Sequence, residues 1–138
     1  METVDTALAF GVRKIWIGWG LSGLVIAFLL MDSIAKLLAL PVVLEAGEAI
    51  GFPGVAMNRG LGLLLIACTL LYIVPSTSTL GAILLTAYLG GAVATHLRWG
   101  HPLFTHVLFG VYVGIFLWGG IVLRHTALLR FIPLVRGP

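Results

Sequence analysis

Charge is scarce in this chain. Five Asp and Glu with eight Lys and Arg make up only 9 % of 138 residues, where a soluble domain carries about a quarter. So few charges cannot clothe a surface that faces water. Nor do they cluster: the net charge of +3 is scattered, with no basic stripe, and this excludes nucleic acid as a partner. Cysteine is scarcer still. Cys68 stands alone, so a disulfide within the chain, or a redox mechanism that needs a dithiol within it, is excluded. Set in the middle of an apolar run, it reads as an unreactive packing residue. No H-x-x-x-H or E-x-x-H spacing is present, so no metal site is expected. No G-x-S-x-G marks a hydrolytic nucleophile. No internal repeat supports an inverted-repeat transporter.

Apolar residues are what the chain has in excess: 60 % of the sequence, with a mean hydropathy of +1.14. They fall in four runs, residues 15–31, 60–74, 80–97 and 103–123, none holding an Asp, Glu, Lys or Arg. Each approaches the ~20 residues that cross a hydrocarbon core of ~30 Å at ~1.5 Å per residue. Lipid offers the backbone no hydrogen bonds, so spanning segments must be helices or a closed barrel. Continuous rather than alternating hydrophobicity excludes the barrel. The expected fold is an all-α membrane protein, a single domain over 1–138. It is an antiparallel bundle of four transmembrane helices spanning about 15–36, 57–74, 79–98 and 102–124. Arg13 and Lys14 before an apolar run resemble a signal peptide, but the run is too long and its Met31-Asp32-Ser33 exit has no small-residue cleavage site. The first span is therefore read as retained.

Residues 1–12 read as a short interfacial lead-in, with Trp16 and Trp19 as anchors beyond it. Between Pro41 and Pro53 the chain is too short to span and too apolar to hang in water. A short interfacial helix is expected there, lying across the bundle mouth as a lid. Pro75-Ser76-Thr77-Ser78-Thr79 and Gly100-His101-Pro102 make the other turns. Four spans put both termini on one side, with Arg13, Lys14, Arg124, Arg130 and Arg136 against Lys36, Arg59 and Arg98 on the other. That bias places both termini in the cytoplasm, with the basic tail against the anionic leaflet. Rows of small residues, Gly18/Ser22, Ala87/Gly91/Thr95 and Gly110/Gly114, read as helix-packing faces.

Asp32, Lys36, Glu45, Glu48, Arg59, His96, Arg98, His101 and His106 all fall at one end of such a bundle, the outer one in this topology. Asp32 and Lys36 are one turn apart, the acid first, as a helical ion pair prefers. His96 shares a stripe with Tyr88 and Ala92 at spacings of four and eight, which suggests an inward face. Its bland alternative is a packed histidine bonded to a neighbouring carbonyl. Arg59 can pair with Asp32 or a Glu, or anchor a lipid phosphate. His106 faces the mouth, and His101 reads as a solvent-facing turn residue.

The run Tyr-Leu-Gly-Gly-Ala-Val-Ala-Thr-His-Leu-Arg-Trp-Gly-His-Pro-Leu-Phe-Thr-His from Tyr88, with the later Val-Tyr-Val-Gly and Leu-Trp-Gly-Gly, resembles the DoxX-like family of small bacterial four-helix membrane proteins. Met-Asp-Ser-Ile-Ala-Lys-Leu from Met31 and the later Gly-Phe-Pro resemble that family's first-helix exit and loop. The similarity covers most of the chain and is most specific over 88–120. It implies a multi-pass protein of the bacterial cytoplasmic membrane, with Asp32, Lys36, His96, Arg98 and His106 on the matching motifs. Some relatives are linked to quinone-coupled sulfur oxidation or oxidant defence. The wider superfamily includes sterol isomerases and sterol-binding proteins.

Two functions follow as expectations. In the first, a lipophilic molecule (quinone, isoprenoid or sterol-like) sits among the helices. Asp32 and His96 are then candidate acid/base residues for isomerase-type or quinone-linked chemistry, and Lys36, Glu48, Arg59, Tyr88, Arg98 and His106 hold the polar head. No cofactor is evident from the residues; a quinone is the one this reading allows. In the second, the chain is a non-enzymatic accessory or assembly subunit of a membrane oxidoreductase complex, or of a homo-oligomer, and the polar residues satisfy one another. A channel or transporter is less well supported, because no charge lines the other half of the bundle.

Overall fold

The computed structural model describes residues 2–131, and of residues 2–9 and 129–131 the backbone alone. Proline punctuates it. Residues 2–37 contain no proline, and they form one uninterrupted helix, α1 (Glu2–Leu37). Pro41 opens the short α2 (Pro41–Ala49) at its first position, where its missing N–H costs nothing. Pro53 precedes α3 (Val55–Ile73), and Pro75 lies in the turn to α4 (Ser78–Arg98). Pro102 caps a π-helical turn, Leu103–Val107, that leads into α5 (Phe109–Arg124). A 3-10 turn, Thr126–Phe131, follows. No strand is present among the described residues. The side chain of Arg130 and the whole of Arg136 lie outside what is described.

Among the described residues four helices are long and apolar enough to cross a membrane: Phe10–Leu37, Val55–Ile73, Ser78–Arg98, and Leu103–Arg124 with its π-turn. Each packs against two others, so that α1, α3, α4 and α5 close a ring in that order. Only 22–33 % of each span is buried in the protein, which leaves the rest to lipid. Leu24, Leu63, Leu70, Ile83 and Ile115 accordingly point outward, while Ser22, Ser33, Asn58, Thr69 and Ser78 are buried. This distribution fits a protein whose solvent is apolar and whose backbones approach closely through small residues. Gly18 shows such an approach: an added Cβ would lie 2.9 Å from the Leu123 Cβ on α5. The four-span, all-helical membrane fold expected from the sequence is the one observed.

Two details differ from the sequence reading. Residues 2–12 continue α1 rather than forming a separate lead-in, since nothing in them breaks a helix. From Phe10 to Ile17 every side chain is exposed, so this part of α1 stands clear of its neighbours. The fourth span opens on the π-turn, with bonds of 3.3 Å from Val107 N to the Pro102 carbonyl and 2.9 Å from Leu108 N to the Leu103 carbonyl. Such turns are often found at functional sites.

The ends of α1, α2 and α4 share one device. In each, a residue in the left-handed region follows the helix and two backbone bonds close the last turn, the Schellman arrangement. Those residues are Ala39 (φ 51°), Gly51 (φ 83°) and Gly100 (φ 67°). The closing bonds run from Leu40 N to the Ala35 carbonyl, Phe52 N to the Gly47 carbonyl and His101 N to the His96 carbonyl, at 3.2, 2.8 and 3.1 Å. All three returns lie at the end of the bundle that carries His96, His101 and His106.

Candidate functional site

The Schellman turn after α2 sends Ile50 and Phe52 back over that end of the bundle. Beneath them lies a cavity of about 430 Å³. Phe28, Leu29, Asp32 and Lys36 line it from α1, Leu61 from α3, and Phe109 and Gly110 from α5. The longest wall is α4, with Ala87, Tyr88, Leu89, Gly91, Ala92, Thr95 and His96. The stripe Tyr88, Ala92, His96 thus turns to the cavity as its spacing predicts. Ala87, Gly91 and Thr95, read from sequence as a packing row, line it as well. Phe28 and Phe109 close one side edge to face, ring centroids 5.2 Å apart. The walls are mostly apolar, and the polar groups come from two helices only.

On α1, the Lys36 ammonium donates to the Asp32 carboxylate one turn away. Both side chains are partly buried, 18 % and 31 % exposed, enough screening from water for the pair to persist at the cavity wall. On α4, His96 is half-buried and its Nδ1 lies 2.7 Å from the Nδ1 of His101. The rings of His96, His101 and His106 lie 5.0–5.9 Å apart, a compact triangle of imidazoles of which His96 lines the cavity. Among the described residues no group of three or more His, Cys, Asp or Glu is arranged to hold a metal ion.

Four of the eight residues singled out from sequence therefore share the cavity: Asp32, Lys36, Tyr88 and His96. The other four stand outside its lining. Arg59 is exposed and its Nε donates to the Leu37 carbonyl at 3.1 Å, so it caps the C-terminus of α1. Glu48 is exposed on α2, and Arg98 is exposed at the end of α4. His106 is exposed and its Nδ1 bonds the Thr105 hydroxyl at 2.8 Å.

Two residues carry more of this arrangement than sequence reasoning assigned them. His101 is half-buried on His96 rather than turned to solvent; the signal was Gly100, which as a helix-ending glycine folds the next residue back over the last turn. Asn58 is buried, and its Nδ2 donates to the Phe52 and Gly54 carbonyls at 3.2 and 3.0 Å. It ties the α2 return to the start of α3. Gly47 makes room for it, since a Cβ there would lie 2.9 Å from the Asn58 amide.

A second groove, between α4 and α5, is lined by Gly90, Val93, Gly114, Trp118 and their neighbours and carries no ionisable group. The cavity under α2 is thus the candidate site. Residues 20–120, nearly all of the ring of helices and the whole cavity lining, match the family model for the DoxX-like family. The chain belongs to the DoxX-like family. No curated protein and no solved structure matches it. In this DoxX-like protein, the resemblance carried by 88–120 coincides with the α4 wall, the histidine triangle and the π-turn.

Proposed function

We propose that this protein binds a lipophilic molecule by its polar head in the cavity under α2. One observation carries the reading: a carboxylate, an ammonium, a phenol and an imidazole, from Asp32, Lys36, Tyr88 and His96, converge on an otherwise apolar hollow. Its volume, about 430 Å³, falls within the ~300–1,000 Å³ of small-molecule sites. Ionisable groups within membrane spans are costly to place, and a cluster of them lining a cavity supports a ligand that uses them.

The chemistry of the lining suggests the shape of that ligand. An apolar tail lies against Phe28, Leu29, Leu89 and Phe109. The head meets the Asp32–Lys36 pair on one side and Tyr88 with His96 on the other. Lys36, with three donors, and Tyr88 suit carbonyl or hydroxyl oxygens. A quinone ring, an isoprenoid alcohol and a sterol-like head all meet that description. If a reaction follows binding, His96 is the proton carrier, because an imidazole exchanges protons near neutral pH. Asp32, held by Lys36, acts as the charge that orients it.

The test is mass spectrometry of lipophilic molecules kept through mild detergent purification of the wild type and of H96A. The expected result is a molecule enriched with the wild type and lost from a well-folded, monodisperse H96A protein. Identical lipid profiles from the two proteins sink the reading.

A further inference from the structure

In a Schellman turn the side chain after the left-handed residue normally makes an apolar contact with the helix one turn back. Two of the three such turns among the described residues carry an apolar residue in that place, Leu40 and Phe52. The third puts His101 there, against His96. A contact usually made by hydrocarbon is made by two imidazoles, and one of them lines the cavity while the other, half-buried, stands outside its lining.

The 2.7 Å separation of the two Nδ1 atoms fixes the proton count between them. Two bare nitrogens at that distance would repel, and two N–H groups would clash. One proton lies between them, so one ring carries its hydrogen on Nδ1 and the other accepts. Because His96 Nδ1 is engaged by His101, Nε2 is the His96 nitrogen left for a ligand in the cavity. The far nitrogen of His101 is the one left for the mouth, where the exposed His106 ring stands 5.5 Å away, centroid to centroid.

We infer that His101 is a positioning residue and proton outlet for the cavity: the His96–His101 pair passes a proton between a bound head group and outside water while the α2 return stays closed. The balance is simple. A proton arriving at His96 Nε2 drives the shared proton from His96 Nδ1 to His101 Nδ1, and His101 releases its Nε2 proton to water. Each ring ends with one proton, as it began, with the tautomers exchanged; rotation or the reverse transfer resets them. The other titratable and charged groups around the pair are His106, Arg98 at the end of α4, Tyr88 further back on the same face of α4, and Asp32 and Lys36 across the cavity. Asp32 is already matched by Lys36, so the shared proton has no nearer free carboxylate to move to among these groups. The purpose of the outlet rests on the cavity being a ligand site, but the pair itself is measurable with no ligand added.

The test uses the full chain, labelled with ¹⁵N-histidine, in nanodiscs of mixed zwitterionic and anionic phospholipid. Only four histidines are present, at 96, 101, 106 and 125, so single substitutions assign every ring. The expected wild-type signature is a ¹⁵N–¹⁵N coupling across the hydrogen bond between the two Nδ1 atoms, with one ring in the Nδ1–H tautomer. H106Q keeps the coupling. H101L restores the ordinary apolar contact of the turn, so the fold holds, the coupling vanishes, and exchange of the His96 ring proton with water slows by about tenfold or more. H101Q keeps a hydrogen bond to His96 but has no second nitrogen to relay through, and it slows exchange equally; it serves if H101L does not fold. Absence of the coupling in the wild type overturns the pair. Unchanged exchange in the folded H101 variant overturns the outlet. Neither result bears on whether a lipophilic molecule co-purifies.

Discussion

The Ser22 hydroxyl on α1 and the Tyr72 hydroxyl on α3 lie 2.9 Å apart in the buried middle of the ring. Tyr72 also reaches the Leu117 carbonyl on α5 at 2.9 Å. A carbonyl can only accept, so the Tyr72 proton goes to Leu117, and Ser22 donates to Tyr72. One phenol thus joins three spanning helices. Y72F would leave the Ser22 hydroxyl and the Leu117 carbonyl without it, in a region where no water replaces the bond. The expected loss is about 1–2 kcal/mol, read as a shift in the denaturant midpoint in mixed micelles. S22A, which removes a donor but leaves Tyr72 on its carbonyl, should cost less. Equal losses would mean that the bond to Leu117 contributes little.

The α3–α4 hairpin depends on a missing side chain. A Cβ on Gly81 would overlap the Tyr72 backbone nitrogen, and backbone cannot swing aside as a flexible side chain can. G81A is therefore expected to break the hairpin and abolish recovery of monodisperse protein. Gly60, also helical, has nothing within 4 Å of an added Cβ. G60A should fold normally, because alanine is the better helix former and fills only open space. Comparing yields of the two by size-exclusion chromatography checks both. A normal yield of G81A would require the hairpin to pack differently from the arrangement described.

Ala39 is the one described non-glycine residue with positive φ, at 51°. Gly51 and Gly100 hold the equivalent place after α2 and α4. An L-residue in that region carries roughly 1–2 kcal/mol of steric strain, against which glycine's greater freedom in the unfolded chain counts. A39G is expected to stabilise the protein by about 0.5–1 kcal/mol, a higher midpoint in thermal unfolding in detergent. A lower midpoint would show that Ala39, which is half-buried, contributes more by packing than it loses by strain.

The spans were legible because a hydrocarbon solvent leaves one reading open to long uncharged runs. The boundaries were legible where proline or glycine marks them. The continuation of α1 to Glu2 was not, since nothing in residues 2–12 marks whether a helix begins there or at Arg13. Helical spacing was enough to turn Tyr88, Ala92 and His96 to one side, and the i,i+4 rule paired Asp32 with Lys36. Arg59 was harder: an arginine at a helix start can meet a ligand, a lipid or a carbonyl, and only the approach of α1 to α3 decides for the Leu37 carbonyl. His101 was hidden by habit rather than by physics, for a polar residue in a short turn is ordinarily placed in water.

The Asp32–Lys36 pair yields a prediction from the unequal lengths of its members. Both side chains are partly buried beside the cavity. Removing Asp32 leaves an ammonium on a four-carbon stem, which can extend toward the headgroups at the end of α1. Removing Lys36 leaves a carboxylate on a single methylene, which cannot reach them. D32N should therefore be mild, and K36M should cost about 1–3 kcal/mol, because an uncompensated half-buried charge costs more than the pair contributes. The double variant D32N/K36M should recover most of the loss, since no charge is then left to strand. The check is a set of unfolding midpoints for the wild type, both single variants and the double variant in one detergent. If D32N proves as damaging as K36M, Lys36 is not free to extend and α1 must end deeper among its neighbours than its partly exposed last turns imply.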